Sequence, residues 1–237
     1  MKFVGKLSSV DLSNEHKDGL NQISFKGLKV AEGLSLSSNE DNKRNYFSAV
    51  FTKNIDKPLK LGNTYEVRNF GVSARTLLNK GDHPFMAEMA WRDAKAFAAD
   101  VVVIKLGTND SKPENWCYGA EFENNLIQMI DTLCPMVPVL NKKGRPTRKM
   151  MRAASPRIFL CTPIHAAKPS WNINDSVITS SIIPIIKKVA QREKLQIIDL
   201  NTQFDATDRK LMQQDGIHPT EQGDARIAEI VFEAIKK

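Results

Sequence analysis

VVVIKLGTND, residues 101–110, opens on four consecutive β-branched residues and ends on a glycine-led polar turn. A segment that is apolar at every position, not at every second one, reads as a strand covered on both faces, as in the middle of a parallel sheet. Working outward, RIFLC (157–161) and LQIIDL (195–200) read as later strands, and YEVRNF (65–70) and ISFK (23–26) as earlier ones. The intervening segments carry helical spacing. They are residues 86–98, residues 118–133 with Phe122, Leu126, Met129 and Ile130 on one face, and residues 175–194, where Asp175 or Ser176 is placed to cap. Residues 46–52 read as weakly helical, and 220–237 as a closing helix. Five strands separated by helices predict the α/β class, with a five-stranded parallel sheet held between two helical layers.

The chain has 237 residues, 41% of them hydrophobic. That is enough to build one core, so residues 1–237 read as a single domain. Residues 1–22 precede the first expected strand as an extension, and 139–153 read as a basic loop insertion. No apolar run approaches the ~18 residues of a membrane span. The first residues hold no apolar core of a secretory signal, so the chain as given reads as cytoplasmic, while the localisation of the protein stays open. Cys117, Cys134 and Cys161 are odd in number and widely spaced, which fits neither a zinc pattern nor a fully paired disulfide set.

The formal net charge of +7 raises nucleic acid as a partner until the charge is located. Lys142, Lys143, Arg145, Arg148, Lys149 and Arg152 form an acid-free run that accounts for all but one unit of it. No aromatic residue interleaves with these cations, so the stacking half of a single-strand-binding surface is missing. The run reads as a solvated loop, with an anionic partner as the alternative, and neither nucleic acid nor membrane is expected.

In open α/β sheets, ligands bind outside the carboxyl ends of the strands. After VVVIKL comes Gly107-Thr108-Asn109-Asp110, where the glycine allows a sharp turn and the Asn109 amide can point its N–H donors into the crevice. After YEVRNF comes Gly71, which can bring a bare backbone N–H to the same place. Near the end, Asp215-Gly216-Ile217-His218 sets a carboxylate three residues before an imidazole. At that spacing Asp215 can accept from Nδ1–H of His218 and leave Nε2 as the base. By position alone, His165, Trp116, Trp171 and Arg75 are candidate substrate contacts, the alternatives being a loop residue for His165, a cap on the core for the two tryptophans and a surface ion pair for Arg75; Asp110 is a candidate brace for its own loop.

The segments YEVRNFGVSARTLL, VVVIKLGTNDSKPENW, WNINDSV and DGIHPTEQG, in this order, resemble the blocks of the SGNH (GDSL-type) esterases. Within that family the chain is most similar to bacterial O-acetylesterase-like acylhydrolases. The resemblance implies a flavodoxin-like three-layer sandwich. It also implies hydrolysis of acyl esters, acetyl groups on a carbohydrate being the expected substrate, with no metal or organic cofactor. Gly71 and Asn109 match the oxyanion-hole positions, and Asp215 and His218 match the acid and base of the triad.

The family places its serine nucleophile in the second residue after the first glycine of a Gly-Asp/Asn-Ser-x-x-x-Gly block. The register that keeps both glycines is Gly27-Leu28-Lys29-Val30-Ala31-Glu32-Gly33, which puts Lys29 at the nucleophile's position. A lysine amine, with a reference pKa of ~10.4, is mostly protonated at neutral pH. An amine that did become acylated would form an amide, which a triad arranged to release esters does not turn over. Three readings follow: loss of the nucleophile, giving a binding protein or pseudoenzyme; a different serine, such as Ser35, Ser8 or Ser9; or His218 acting directly on water.

Overall fold

The computed structural model describes residues 65–236 continuously, with side chains from Val67 onward, and before them only short strand segments by their backbone. Eleven elements frame the site. They are β1 (Ala49–Lys53), β2 (Tyr65–Asn69), α1 (Met89–Phe97), β3 (Val101–Ile104), α2 (Phe122–Leu133), β4 (Met136–Leu140), β5 (Pro146–Arg152), β6 (Arg157–Cys161), α3 (Ile183–Glu193), β7 (Gln196–Ile198) and α4 (Glu221–Ile235).

A five-stranded sheet runs in the order β7-β6-β3-β1-β2. β3, β6 and β7 are parallel, with Val102 opposite Ile158 and Leu160 opposite Ile197. The sheet is not parallel throughout, as the alternation of elements predicted. β1 is antiparallel to both of its neighbours, with Val50 opposite Arg68 on one side and Val102 on the other. The physical reason lies in connection length. Residues 54–64 join β1 to the adjacent β2, and a parallel pairing needs a crossover of about a dozen residues or more. β1 also corrects the helical reading of residues 46–52, since Val50, Phe51 and Thr52 are β-branched or aromatic and suit a pleated surface. Of the expected strand at 23–26, Ser24–Phe25 pairs with Val10–Asp11 in a separate two-stranded sheet. Gly27, Lys29 and Gly33 lie outside the described residues, as do Ser8 and Ser9, and Ser35 is described only by its backbone.

The period of two in β3 and β6 sorts their side chains between two cores. Val102, Ile104, Ile158 and Leu160 pack with the apolar faces of α1, α2 and α3. Val101, Val103, Phe159 and Cys161 pack on the other face with Ile227, Ile230, Val231 and Ile235 of α4. The result is a three-layer α/β/α sandwich, which explains why VVVI is apolar at every position: all four residues are buried.

Helix ends follow local chemistry. Thr220 caps α4 by accepting the Gly223 N–H. Ahead of α3 the cap is Asn174, which accepts the Val177 N–H, and neither Asp175 nor Ser176 takes that role. The segment 139–153 is not a loop. Met136–Leu140 and Pro146–Arg152 form an exposed antiparallel hairpin whose turn carries Lys142, Lys143 and Arg145. The interruption of MVPVL by Pro138 hides its strand pattern in the sequence. Arg152 ties the hairpin to the body, donating to Asp131 Oδ1 (2.8 Å), the Cys134 carbonyl (2.8 Å) and Glu193 Oε2 (2.5 Å).

Candidate active site

The chain leaves β3 through Gly107, whose φ of +122° is one that L side chains rarely adopt. A Cβ there would also lie 2.9 Å from Ile182 Cγ2. The following turn is fastened from three directions. Asp110, fully buried, accepts the backbone N–H groups of Leu78 at Oδ1 (2.8 Å) and of Leu77 at Oδ2 (3.1 Å). Asn115 donates to the Asn109 carbonyl (2.9 Å) and to Asp82 Oδ1 (3.0 Å). Ser111 Oγ accepts the Asn174 N–H (3.0 Å) while donating to the Thr108 carbonyl (2.7 Å). Burial raises the Asp110 carboxyl to about 6, against the opposing pull of the backbone N–H groups of Leu78, Leu77 and Asp110 itself.

At the other end of the chain, Asp215 and His218 are set by one tight turn. Asp215 Oδ1 accepts the N–H groups of Ile217 (2.8 Å) and His218 (2.9 Å), and its Oδ2 lies 2.9 Å from His218 Nδ1. The imidazole faces a cavity of about 300 Å³ that is also lined by Gly71, Arg75, Asn109 and Trp171. The Trp171 ring stands edge-on to the imidazole, with centroids 5.1 Å apart.

The structure therefore gathers Gly71, Asn109, Arg75 and His218 around one cavity, with Asp215 behind the imidazole. Both candidate oxyanion donors carry internal partners. The Gly71 N–H donates to Asn69 Oδ1 (2.8 Å), and one N–H of Asn109 Nδ2 is directed at the Arg75 carbonyl (3.3 Å). Arg75 is itself paired with Glu88 at 2.6 Å. Two candidates lie elsewhere. Trp116 is packed against Phe122, with ring centroids 5.8 Å apart, and covers the core next to Gly119. His165 does not line the cavity; its Nδ1 lies 3.0 Å from Asp175 Oδ2, whose other oxygen accepts the Ala166 N–H. Lys29 is not among the described residues.

Sequence reasoning missed Lys105 and Lys112, which also line the cavity. Lys105 immediately follows β3, so the strand-end rule was the signal that could have found it. Desolvation lowers its pKa, and the Asp224 carboxylate acts in the opposite direction. Lys112 is paired with Asp82 at 3.3 Å. Cys161 shares the buried side of the sheet with Lys105, and burial pushes its thiol up to about 12, which keeps it un-ionised and inert.

The sequence that builds this three-layer α/β/α sandwich matches a hydrolase family. Residues 30–226 fit the pattern of the GDSL-like Lipase/Acylhydrolase family, and the chain belongs to it. The matched range begins one residue after Lys29. Over 177 residues the chain is 59% identical to an acetylxylan esterase from Xylanibacter ruminicola; the match covers 74% of this chain and 37% of that protein. The chain thus spans little more than a third of that relative's length. Among solved structures, a carbohydrate acetylesterase from Sinorhizobium meliloti superposes with a TM-score of 0.51 at 20% identity, covering 70% of this chain and 75% of that one. An inhibitor-bound aryl esterase from M. smegmatis gives a TM-score of 0.52 at 20% identity, with the same coverage of both chains. At these identities the structural likeness concerns the fold.

Proposed function

We propose that this chain is a carbohydrate acetyl-ester hydrolase scaffold in which Lys29 occupies the nucleophile's place and suppresses turnover. The observation that carries the reading is the Asp215–His218 contact of 2.9 Å on the wall of a cavity shared with Asn109 and Gly71. The similarity to an acetylxylan esterase supports a carbohydrate acetyl ester as the substrate class.

In this reading Asp215 fixes the imidazole with Nδ1 protonated, so proton transfer runs through Nε2. With a hydroxyl at position 29, Nε2 takes the hydroxyl proton as the oxygen attacks the acetyl carbonyl, and it then returns that proton to the departing sugar oxygen. The carbonyl oxygen gains negative charge in the tetrahedral intermediate. Asn109 has a second N–H on Nδ2 for that oxyanion, and the Gly71 N–H joins it once Asn69 Oδ1 gives way. Water attacks the acyl-enzyme by the same route in reverse. A protonated Lys29 supplies no such oxygen, and its charge favours holding an anion over turning over an ester.

The test is release of p-nitrophenol from p-nitrophenyl acetate, and of acetate from acetylated xylan, by the chain carrying Lys29→Ser with and without His218→Ala. Hydrolysis that depends on His218 supports the reading. Hydrolysis indifferent to His218 removes it.

A further inference from the structure

We propose that Trp171 is a stacking platform for a pyranose ring, seated at the mouth of the cavity beside His218. The inference rests on the carbohydrate-ester reading above. Of the three tryptophans in the chain, Trp91 is buried and Trp116 packs against Phe122, whereas Trp171 is 56% exposed. Among the described residues, nothing gives this indole beside the imidazole the cover that hydrophobic burial would supply.

The exposure is built in by the backbone. Trp171 and Asn172 both have left-handed conformations, with φ of 49° and 60°. Two successive non-glycine residues there are unusual and persist only where the surroundings impose them, often at ligand clamps. The surroundings do impose them. Ser170 Oγ donates to the Asp215 carbonyl (2.7 Å), and the Ala167 N–H to the Gly216 carbonyl (2.8 Å). Gly216 permits that approach, since a Cβ on it would lie 2.9 Å from the Lys168 backbone nitrogen. On the far side Ile173 is buried, and the Asn174 N–H is bonded to Ser111. Both flanks of Trp171 are thus fastened, one to the turn that carries Asp215 and one to the turn that carries Asn109.

The ligand class follows from what faces the indole. Ser73, Thr108, Asn109 and Lys112 line the same cavity and offer hydroxyl, amide and ammonium groups. A sugar ring has an apolar C–H face for the indole and a rim of hydroxyls for these groups. A flat aryl group would leave most of them unused. A neutral pyranose carrying the acetyl ester fits, with its ring against Trp171 and its acyl group directed inward toward His218.

The test is a titration of the 237-residue chain with xylotetraose, followed by tryptophan fluorescence and calorimetry. It requires no turnover. The expected result is a saturable fluorescence change that Trp116→Phe preserves. Affinity should fall on the order of 10-fold in Trp171→Ala and largely recover in Trp171→Phe, a smaller aromatic that keeps the platform. The Phe variant also covers the case in which the Ala variant folds poorly. Absence of saturable binding at millimolar sugar, or equal binding by the wild-type chain and Trp171→Ala, overturns the proposal. So does Trp171-dependent binding of p-nitrophenol without binding of xylotetraose. If sugar binding fails while Lys29→Ser hydrolyses esters through His218, the platform is wrong and the esterase reading stands. If sugar binds through Trp171 but no hydrolysis can be restored, the reverse holds.

Discussion

Asp110 Oδ1 accepts the Leu78 N–H at 2.8 Å, joining the turn after β3 to the segment after β2 across 32 residues of chain. The residue beside Asp110 carries a candidate oxyanion donor, and the segment holding Leu78 begins near Gly71, so this one carboxylate holds the two halves of the crevice in register. Asp110→Ala leaves two buried N–H groups without acceptors and is expected to lower stability by about 2–4 kcal/mol, on the basis of 1–3 kcal/mol for each orphaned group and partial access of water. Asp110→Asn keeps one acceptor and should cost less. Urea unfolding of the three chains measures the order.

The same residue gives a pH signature. Burial pushes its carboxyl up to about 6 in the folded chain, from an ordinary value of 3.8. The folded state therefore holds the proton over a range in which the unfolded state has released it. The contribution of this group to stability is largest below the unfolded value, declines as pH rises from about 4 to 6, and is level above that. The decline should be absent in Asp110→Asn, as measured by urea midpoints across that window.

Arg152 is the clasp of the basic hairpin. Its side chain is 13% exposed and reaches both Asp131 and Glu193, so Arg152→Ala removes two ion pairs and a carbonyl contact at once. With partial solvent screening, a loss of about 1–3 kcal/mol is expected. The local effect should exceed the global one. Trypsin should cut after Lys142, Lys143, Arg148 or Lys149 well before the body unfolds, and faster than in the wild-type chain.

In the Lys29→Ser background, Asp215→Asn is expected to reduce kcat on the order of 10⁴-fold, because the amide oxygen stays with the N–H groups of Ile217 and His218, the NH2 then faces Nδ1 as a donor, and the wrong tautomer is favoured. Asn109→Ala should cost about 10²–10³-fold, the usual scale for one oxyanion donor. Steady-state kinetics with p-nitrophenyl acetate measures both. A larger loss at Asn109 than at Asp215 would contradict the assigned roles.

Much of the fold was legible because it rests on local pattern. RIFLC forms the strand expected of it, and the buried β3 follows from an uninterrupted β-branched run. LQIIDL yields only Gln196–Ile198, since Asp199 turns away into a short helix at Leu200–Gln203. The antiparallel β1 was not legible, because strand direction depends on connection geometry and not on composition. The hairpin is hidden in the sequence because Pro138 interrupts one strand and charge masks the other. At the site, Asp215 and His218 are three residues apart and interact within one turn, so their relation could be read directly. The grip of Asp110 on Leu77 and Leu78 could not, because its partners are remote in sequence. Trp116 and Trp171 look equivalent by position, and only packing separates the one that covers the core from the one at the cavity mouth.

The most direct measurement compares p-nitrophenyl acetate hydrolysis by the unaltered chain, Lys29→Ser, and Lys29→Ser with His218→Ala. The expected result is little or no turnover by the first, a gain of several orders of magnitude in the second in keeping with the ~10⁶-fold weight of a triad nucleophile, and loss of that gain in the third. Rapid turnover by the unaltered chain that is untouched by substitution of Lys29 and abolished by Ser35→Ala would contradict it.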